Sequence, residues 1–244
     1  TAFNYIKSQK SYNYLISNYK DLIKKEKYDL IAEKIINSYV SYNLPWKSFF
    51  SKYNVLFHAK GVFNDEIIEA FSKSNNFKIF QYSRKLNKVL AKHFFPENIS
   101  HFNFKEKELS REILNCFKFY NEIFKYIKTK AKIDLIYSGN YGAFDESQLA
   151  LAARKNNIKF VSFHKECIMS IGQQDIYYQI AKLGRDNFNG NKILVYNNVT
   201  KKLLEKIGVC DENNIEICPM VRLDKSYAAR KNFIRKRKKF NRLT

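Results

Sequence analysis

Two strand-like runs, Ile133 to Tyr137 and Ile158 to Phe163, are separated by a loop holding Gly139 and Gly142 and then by a helical stretch from Asp145 to Asn156. Nothing else in the sequence limits the fold as tightly. Two buried strands joined through a loop and a helix form a β-α-β crossover, which requires a parallel sheet with helices on its faces. A second unit follows the same plan. Ile193 to Tyr196 is a strand, Asn198 is placed to cap a helix with Val199, Leu203, Leu204 and Ile207 on one side, Gly208 ends it, and Ile215 to Cys218 is the returning strand.

Upstream, the pattern also alternates strand and helix. Val55 to His58 reads as a short buried strand, and after Gly61 comes a helix that Asn64 or Asp65 could cap, with Ile67, Ile68 and Phe71 facing inward. Phe77 to Tyr82 is the next strand. A long helix from about Glu108 to Lys128 carries Leu109, Ile113, Phe117, Tyr120, Phe124 and Ile127 on one stripe. Before the first strand, Tyr12, Leu15, Ile16, Tyr19, Leu22 and Ile23 line one helix face, and a second helix holds Leu30, Ile31, Ile35 and Ile36 inward, closed by Pro45. The predicted fold is α/β, a Rossmann-like, doubly wound parallel sheet with helices on both faces. Residues 1–45 form an N-terminal helical segment, 46–224 the sheet domain, and 225–244 a basic C-terminal helix or linker.

With 244 residues, 45% of them hydrophobic, the chain can bury a sizeable core, which excludes disorder and collagen-like repeats. No run approaches the roughly 18 apolar residues of a membrane-spanning helix, so the chain reads as soluble and cytoplasmic. The 4 cysteines and 4 histidines fall in no ligand or disulfide spacing, so neither a disulfide framework nor a metal is expected. The formal net charge is +21. Eight of the basic residues, Arg230, Lys231, Arg235 to Lys239 and Arg242, stand between Ser226 and Thr244 without an acidic one.

Ligands of open parallel sheets bind at the carboxyl ends of the strands, which selects the loops after Tyr137, Phe163 and Cys218. After Phe163 stand His164, Lys165 and Glu166: a titratable base, a cation and a carboxylate. His164 could deprotonate a hydroxyl, since the ordinary imidazole value of about 6.5 lies near working pH, with Glu166 orienting it. The competing reading is that both cap a helix and pair with neighbouring cations. The loop Ser138, Gly139, Asn140, Tyr141, Gly142, followed by Asp145 and Glu146, could bring backbone close to a ligand, or be a tight connection with helix-capping acids. It is neither a dinucleotide fingerprint nor a Walker loop. Tyr141 and Phe144 could stack on a sugar ring or belong to the core. Arg222, in the turn after Cys218, can grip a phosphate or carboxylate with two prongs, or pair with Asp224. His58 ends the first strand as a further candidate, ranked lower because a lone histidine is usually a satisfied core residue.

The succession Ile133–Tyr137, Asp145 to Ala153, Ile158–Phe163 with His164-Lys165-Glu166, Lys192–Tyr196 with Asn197 to Thr200, and Cys218-Pro219-Met220-Val221-Arg222-Leu223-Asp224 resembles the N-terminal half of GT-B glycosyltransferases. The nearest likeness is to bacterial surface-polysaccharide enzymes, the capsule Kdo-transferase and CDP-glycerol glycerophosphotransferase groups, over about residues 50–224. This resemblance implies one half of a GT-B fold on the acceptor side, with a donor-binding domain expected where Lys225 to Thr244 stand. It implies transfer from a nucleotide-activated sugar or CDP-alcohol donor to a glycan hydroxyl in capsule or lipopolysaccharide-type synthesis, without a tightly bound cofactor. His164 and Glu166 would be the base and its support. Lys165 and Arg222 would supply positive charge for an anionic acceptor or the diphosphate.

The basic C-terminus could hold such an enzyme to the anionic inner face of a membrane, each cation contributing about 1 kcal/mol. It reads equally as a solvated linker. Two other classes remain. Twenty-one Phe, 17 Tyr and the basic tail also fit nucleic-acid binding, although no RRM, KH, zinc-finger or helix-turn-helix signature is present. A non-catalytic sugar-nucleotide-binding module would differ from the enzyme only by lacking turnover.

Overall fold

The computed structural model describes residues 9–35, 52–59, 68–71, 74, 76–99, 107–164, 171–173, 175–176, 178–179, 188–218, 229–231 and 233. Among them, strands β1 (Tyr53–Ala59), β2 (Phe77–Ser83), β3 (Leu135–Ser138), β4 (Lys159–Phe163), β5 (Lys192–Val195) and β6 (Ile215–Ile217) form one sheet. Its order is β2-β1-β3-β4-β5-β6 and every pair is parallel, so the expected Rossmann-like α/β fold is the one observed. The helices are α1 (Gln9–Lys24), α2 (Tyr28–Lys34), α3 (Arg84–Lys92), α4 (Ser110–Ala131, led by a 3-10 turn at Lys107–Leu109), α5 (Phe144–Lys155) and α6 (Asn198–Ile207).

The strand order decides which face each connection covers. From β1 the chain steps one way to β2, and every later step runs the other way. Right-handed crossovers therefore put the β1–β2 connection on one face and the later ones on the opposite face. The packing agrees. Ile68 and Phe71, in the helical residues 68–71, pack with Val55, Phe57, Ile79, Tyr137 and Phe163 on the first face. On the other, α3, α4 and α5 cover Leu56, Phe80, Ile136 and Phe160.

The N-terminal helices add a layer to that second face. Tyr19, Ile23, Ile31 and Ile35 join the core of the sheet, and Tyr28 meets Phe119 of α4 edge-on at 5.8 Å. Leu30, expected inside, is 41% exposed; Ala32, one residue past Ile31, is buried instead because it lies on the side of α2 turned toward α4. On α4 the predicted stripe is present and wider, since Cys116, Phe119 and Ile123 are buried beside Tyr120, Phe124 and Ile127. The α6 cap is Asn197 rather than Asn198: the Asn197 side chain accepts from the Thr200 amide at 2.8 Å, and Gly208 closes the helix at φ 75° as expected.

Helix α5 is the centre of the fold. Its residues 144–150, 152 and 153 are all buried, because Ala150, Ala152 and Ala153 let the sheet and α4 approach from both sides. Ile36, Pro45, Gly61, Asn64, Asp65 and Ile67 lie outside the described residues, as does most of the basic tail, in which residues 229–231 and 233 are helical. No helix among the described residues is long and apolar enough to cross a membrane.

Candidate active site

The strand register builds a polar row on a face that is otherwise apolar. His58 of β1 pairs with Tyr82 of β2 and with Ser138 of β3, and Ser138 pairs with Ser162 of β4. Residues paired in this way project from the same face. One pleat earlier the same face carries Leu56, Phe80, Ile136 and Phe160. The polar row thus marks the carboxyl ends of the strands, and it spans the β1/β3 junction, where the strand order reverses and ligands of such sheets bind. All four side chains are buried, His58 completely.

Helix α5 sets two carboxylates over this row. The turn from Ser138 to Ala143 returns the chain so that Glu146 Oε1 lies 3.2 Å from His58 Nδ1 and accepts from Ser138 Oγ, also at 3.2 Å. Arg84, the first residue of α3 and 24% exposed, brings its Nε to 3.5 Å from Glu146 Oε1 and 3.9 Å from Asp145 Oδ2. The partial positive charge of the α5 N-terminus also favours negative charge in this first turn. Asp145 and Glu146 are therefore not the exposed capping acids that their position allowed; both are buried beneath Arg84 and against the sheet.

Asn87 of α3 ties this turn to its surroundings. Its side-chain amide donates to the Asp145 carbonyl, while its oxygen accepts from Tyr82 Oη at 3.1 Å and from Tyr120 Oη at 2.7 Å. Burial, reinforced by nearby ionisable groups that include Asp145, raises both phenols well above their ordinary range and keeps them donors.

The two carboxyls are pushed apart. Burial raises Asp145, and the charge of Glu146 adds to this, outweighing Arg84 and His58. Burial acts on Glu146 in the same sense, but the hydrogen bond to His58, the charges of His58 and Arg84 and the Ser138 hydroxyl together hold it below the usual carboxylate range. Adjacent carboxyls shifted in opposite senses give this turn one group that holds its proton more tightly and one that ionises more readily. Glu146 Oε1 stands opposite His58 Nδ1, which leaves Nε2 as the ring nitrogen turned away from the carboxylate.

That Nε2 has no hydrogen-bond partner, nor do Glu146 Oε2, both Asp145 carboxyl oxygens, Arg84 Nε and Ser162 Oγ. Native proteins leave few buried polar atoms without a hydrogen bond, and six of the nine such atoms among the described residues stand in this layer. An imidazole held at Nδ1 by a carboxylate, with Nε2 unbonded, is chemically equipped to take a proton from a hydroxyl. His58 is thus not the satisfied core histidine its isolation suggested.

Of the other predicted site residues, His164 is half-buried just beyond β4, its ring meeting Tyr141 edge-on at 4.8 Å. Gly139, Asn140, Tyr141 and Gly142 form the half-buried loop between β3 and α5, with the Asn140 amide donating to Ser138 Oγ at 3.3 Å. Phe144 is core, packed on Phe95, and offers no ring to a sugar. Lys165, Glu166 and Arg222 lie outside the described residues. Sequence reasoning missed Arg84, Ser162 and Asn87, and took Ser138 only as part of the loop. The strand-end rule applied to β2 would have reached Arg84, which directly follows the strand.

A cavity of about 610 Å³ lies elsewhere: Arg154, Gly190, Glu205, Asp211 and Glu212 line it, and it shares no residue with the His58 cluster. The buried chemistry, not that basin, identifies the candidate site, since Arg154, Asp211 and Glu212 of the basin are exposed. Compared with known proteins, the chain matches no family model and has no significant match among curated proteins.

Proposed function

We propose that this chain is the acceptor-side, Rossmann-like half of a GT-B-type glycosyltransferase, or a related phosphotransferase, of bacterial surface-glycan synthesis. Its donor is a nucleotide-activated sugar or CDP-alcohol, and its acceptor is a glycan hydroxyl. The observation that carries this reading is the buried His58–Glu146 pair at the strand-order reversal, with His58 Nε2 unbonded. The order of sequence elements, which resembles the N-terminal halves of such enzymes, supports the same class.

In this reading His58 Nε2 removes the proton of the acceptor hydroxyl as its oxygen bonds to the donor's anomeric carbon or phosphorus and the bond to the nucleotide phosphate breaks. Glu146 stabilises the imidazolium that forms. The base role thus falls to His58 and Glu146 in place of His164 and Glu166. His164 and Tyr141 form the wall of the adjoining loop. The basic C-terminus holds the protein near anionic lipid at the inner face of the membrane.

The test is a thermal-shift and nucleotide-release screen with CMP-, CDP-, UDP- and GDP-linked donors, with and without anionic glycans, and with an RNA oligonucleotide at two salt concentrations. Stabilisation by a donor or glycan is expected. His58→Gln is expected to lower transfer by a factor of about 10² to 10⁴ while the thermal shift produced by the donor is retained. Stabilisation by RNA alone, lost at high salt, overturns the reading in favour of nucleic-acid binding.

A further inference from the structure

The groove between α1 and α3 encloses about 470 Å³. Its floor is Tyr19 and Ile23 of α1 with Leu90 of α3 and Phe95 just beyond it, all buried. Val89, Lys20, Lys92, His93 and Glu97 complete the lining. A closed apolar floor with a few polar groups at the rim, in the range of roughly 300 to 1,000 Å³, is the usual form of a small-ligand pocket. It is too small for a partner protein's helix, which would need roughly 800 Å² of contact on each side.

The rim is electropositive. Lys20 and Lys24 stand one turn apart on α1 and Lys92 ends α3, all three exposed and none within ion-pair distance of an acidic group among the described residues. Against them the lining holds one acid, the exposed Glu97. His93 registers the field: burial, then Lys20 and Lys24, push its imidazole below the ordinary value, so it stays neutral among the cations. Hydrocarbon below and unpaired cations above match an apolar chain that ends in a negative charge.

We infer that the α1–α3 groove is a binding site for a single-chain anionic amphiphile, its hydrocarbon tail on Tyr19, Ile23, Leu90 and Phe95 and its acidic head between Lys20 and Lys92. This site shares no residue with the His58 cluster and does not depend on the transfer reaction.

Isothermal titration of the chain with dodecanoate, dodecyltrimethylammonium and hexanoate, each below its micelle concentration, tests it. Dodecanoate is expected to bind at one per chain, and the cationic and short-chain probes at least tenfold more weakly. His93 ring resonances are expected to move with dodecanoate. The double variant Lys20→Glu/Lys92→Glu changes exposed side chains only, so it is expected to keep its melting temperature, lose at least tenfold in dodecanoate affinity and reverse the preference between the two dodecyl probes. Equal binding of those probes, dodecanoate binding that survives the double variant, or no binding of any probe overturns the assignment.

Discussion

His58 Nδ1 and Glu146 Oε1 face each other at 3.2 Å although one ends a strand and the other opens a helix on the far side of the neighbouring strand. Glu146→Gln keeps the shape of the side chain and removes the charge that His58 and Arg84 meet. Breaking a buried pair of this kind costs about 3 kcal/mol, to be read by urea denaturation at pH 7. Because the folded carboxyl lies below its ordinary value, its contribution is present at neutral pH and is lost as pH falls through the folded value. The difference between Glu146→Gln and the parent should therefore shrink on acidification below about pH 4.

Asp145 should behave in the opposite sense. Its folded value is raised, chiefly by burial and then by Glu146, so the folded state holds this proton longer and loses stability as pH rises through that value. Asp145→Asn removes the buried charge and leaves the backbone carbonyl that Asn87 grips. It should stabilise the protein by about 1 kcal/mol at pH 7, and the gain should vanish near pH 4. A variant less stable than the parent at pH 7 would mean that the Arg84 contact outweighs desolvation.

Asn87→Ala removes the acceptor of the Tyr82 hydroxyl and a donor to the Asp145 carbonyl, while Tyr120 Oη keeps the Asn87 backbone carbonyl at 3.2 Å. A buried orphan costs about 1 to 3 kcal/mol, so the loss should reach about 2 to 3 kcal/mol in chemical denaturation. Tyr120→Phe should cost only about 1 kcal/mol, since the Asn87 oxygen keeps Tyr82. Equal losses for the two variants would show that Asn87 acts only by filling space.

The sheet was legible because its strands are short apolar runs whose connections are punctuated by glycine and asparagine. Gly208 and the Asn197–Thr200 turn fix α6 from local chemistry alone. Helix α3 was not foreseen: its sequence, Arg84 to Lys92, is mostly polar, and only Leu86, Asn87, Leu90 and Ala91 turn inward. The same reason hid the site. Asp145 and Glu146 are indistinguishable from ordinary capping acids until the register puts His58 beside Ser138 and α3 brings Arg84 across them. Local periodicity carries no information on which distant strand end a carboxylate will face, whereas the strand-end rule, which is about topology, selects the same carboxyl edge on which the His58 cluster stands.

Two glycines separate backbone strain from steric clash. At Gly208, φ is 75° and a Cβ would meet nothing within 4 Å, so Gly208→Ala should cost only the left-handed penalty, about 1 to 2 kcal/mol. Gly208→Asn should recover part of it, because asparagine tolerates that conformation better. At Gly190 a Cβ would run into the Phe188 ring and come within 2.7 Å of Phe160. Both rings are buried, Phe160 completely, so neither can yield without disturbing the start of β4 and the turn into β5. Gly190→Ala should destabilise by about 1 to 3 kcal/mol through overpacking, and Gly190→Asn should be worse still. Asparagine rescue at 208 with aggravation at 190, measured as shifts in melting temperature, is the expected pattern; rescue at both positions would mean that conformation rather than packing selects Gly190.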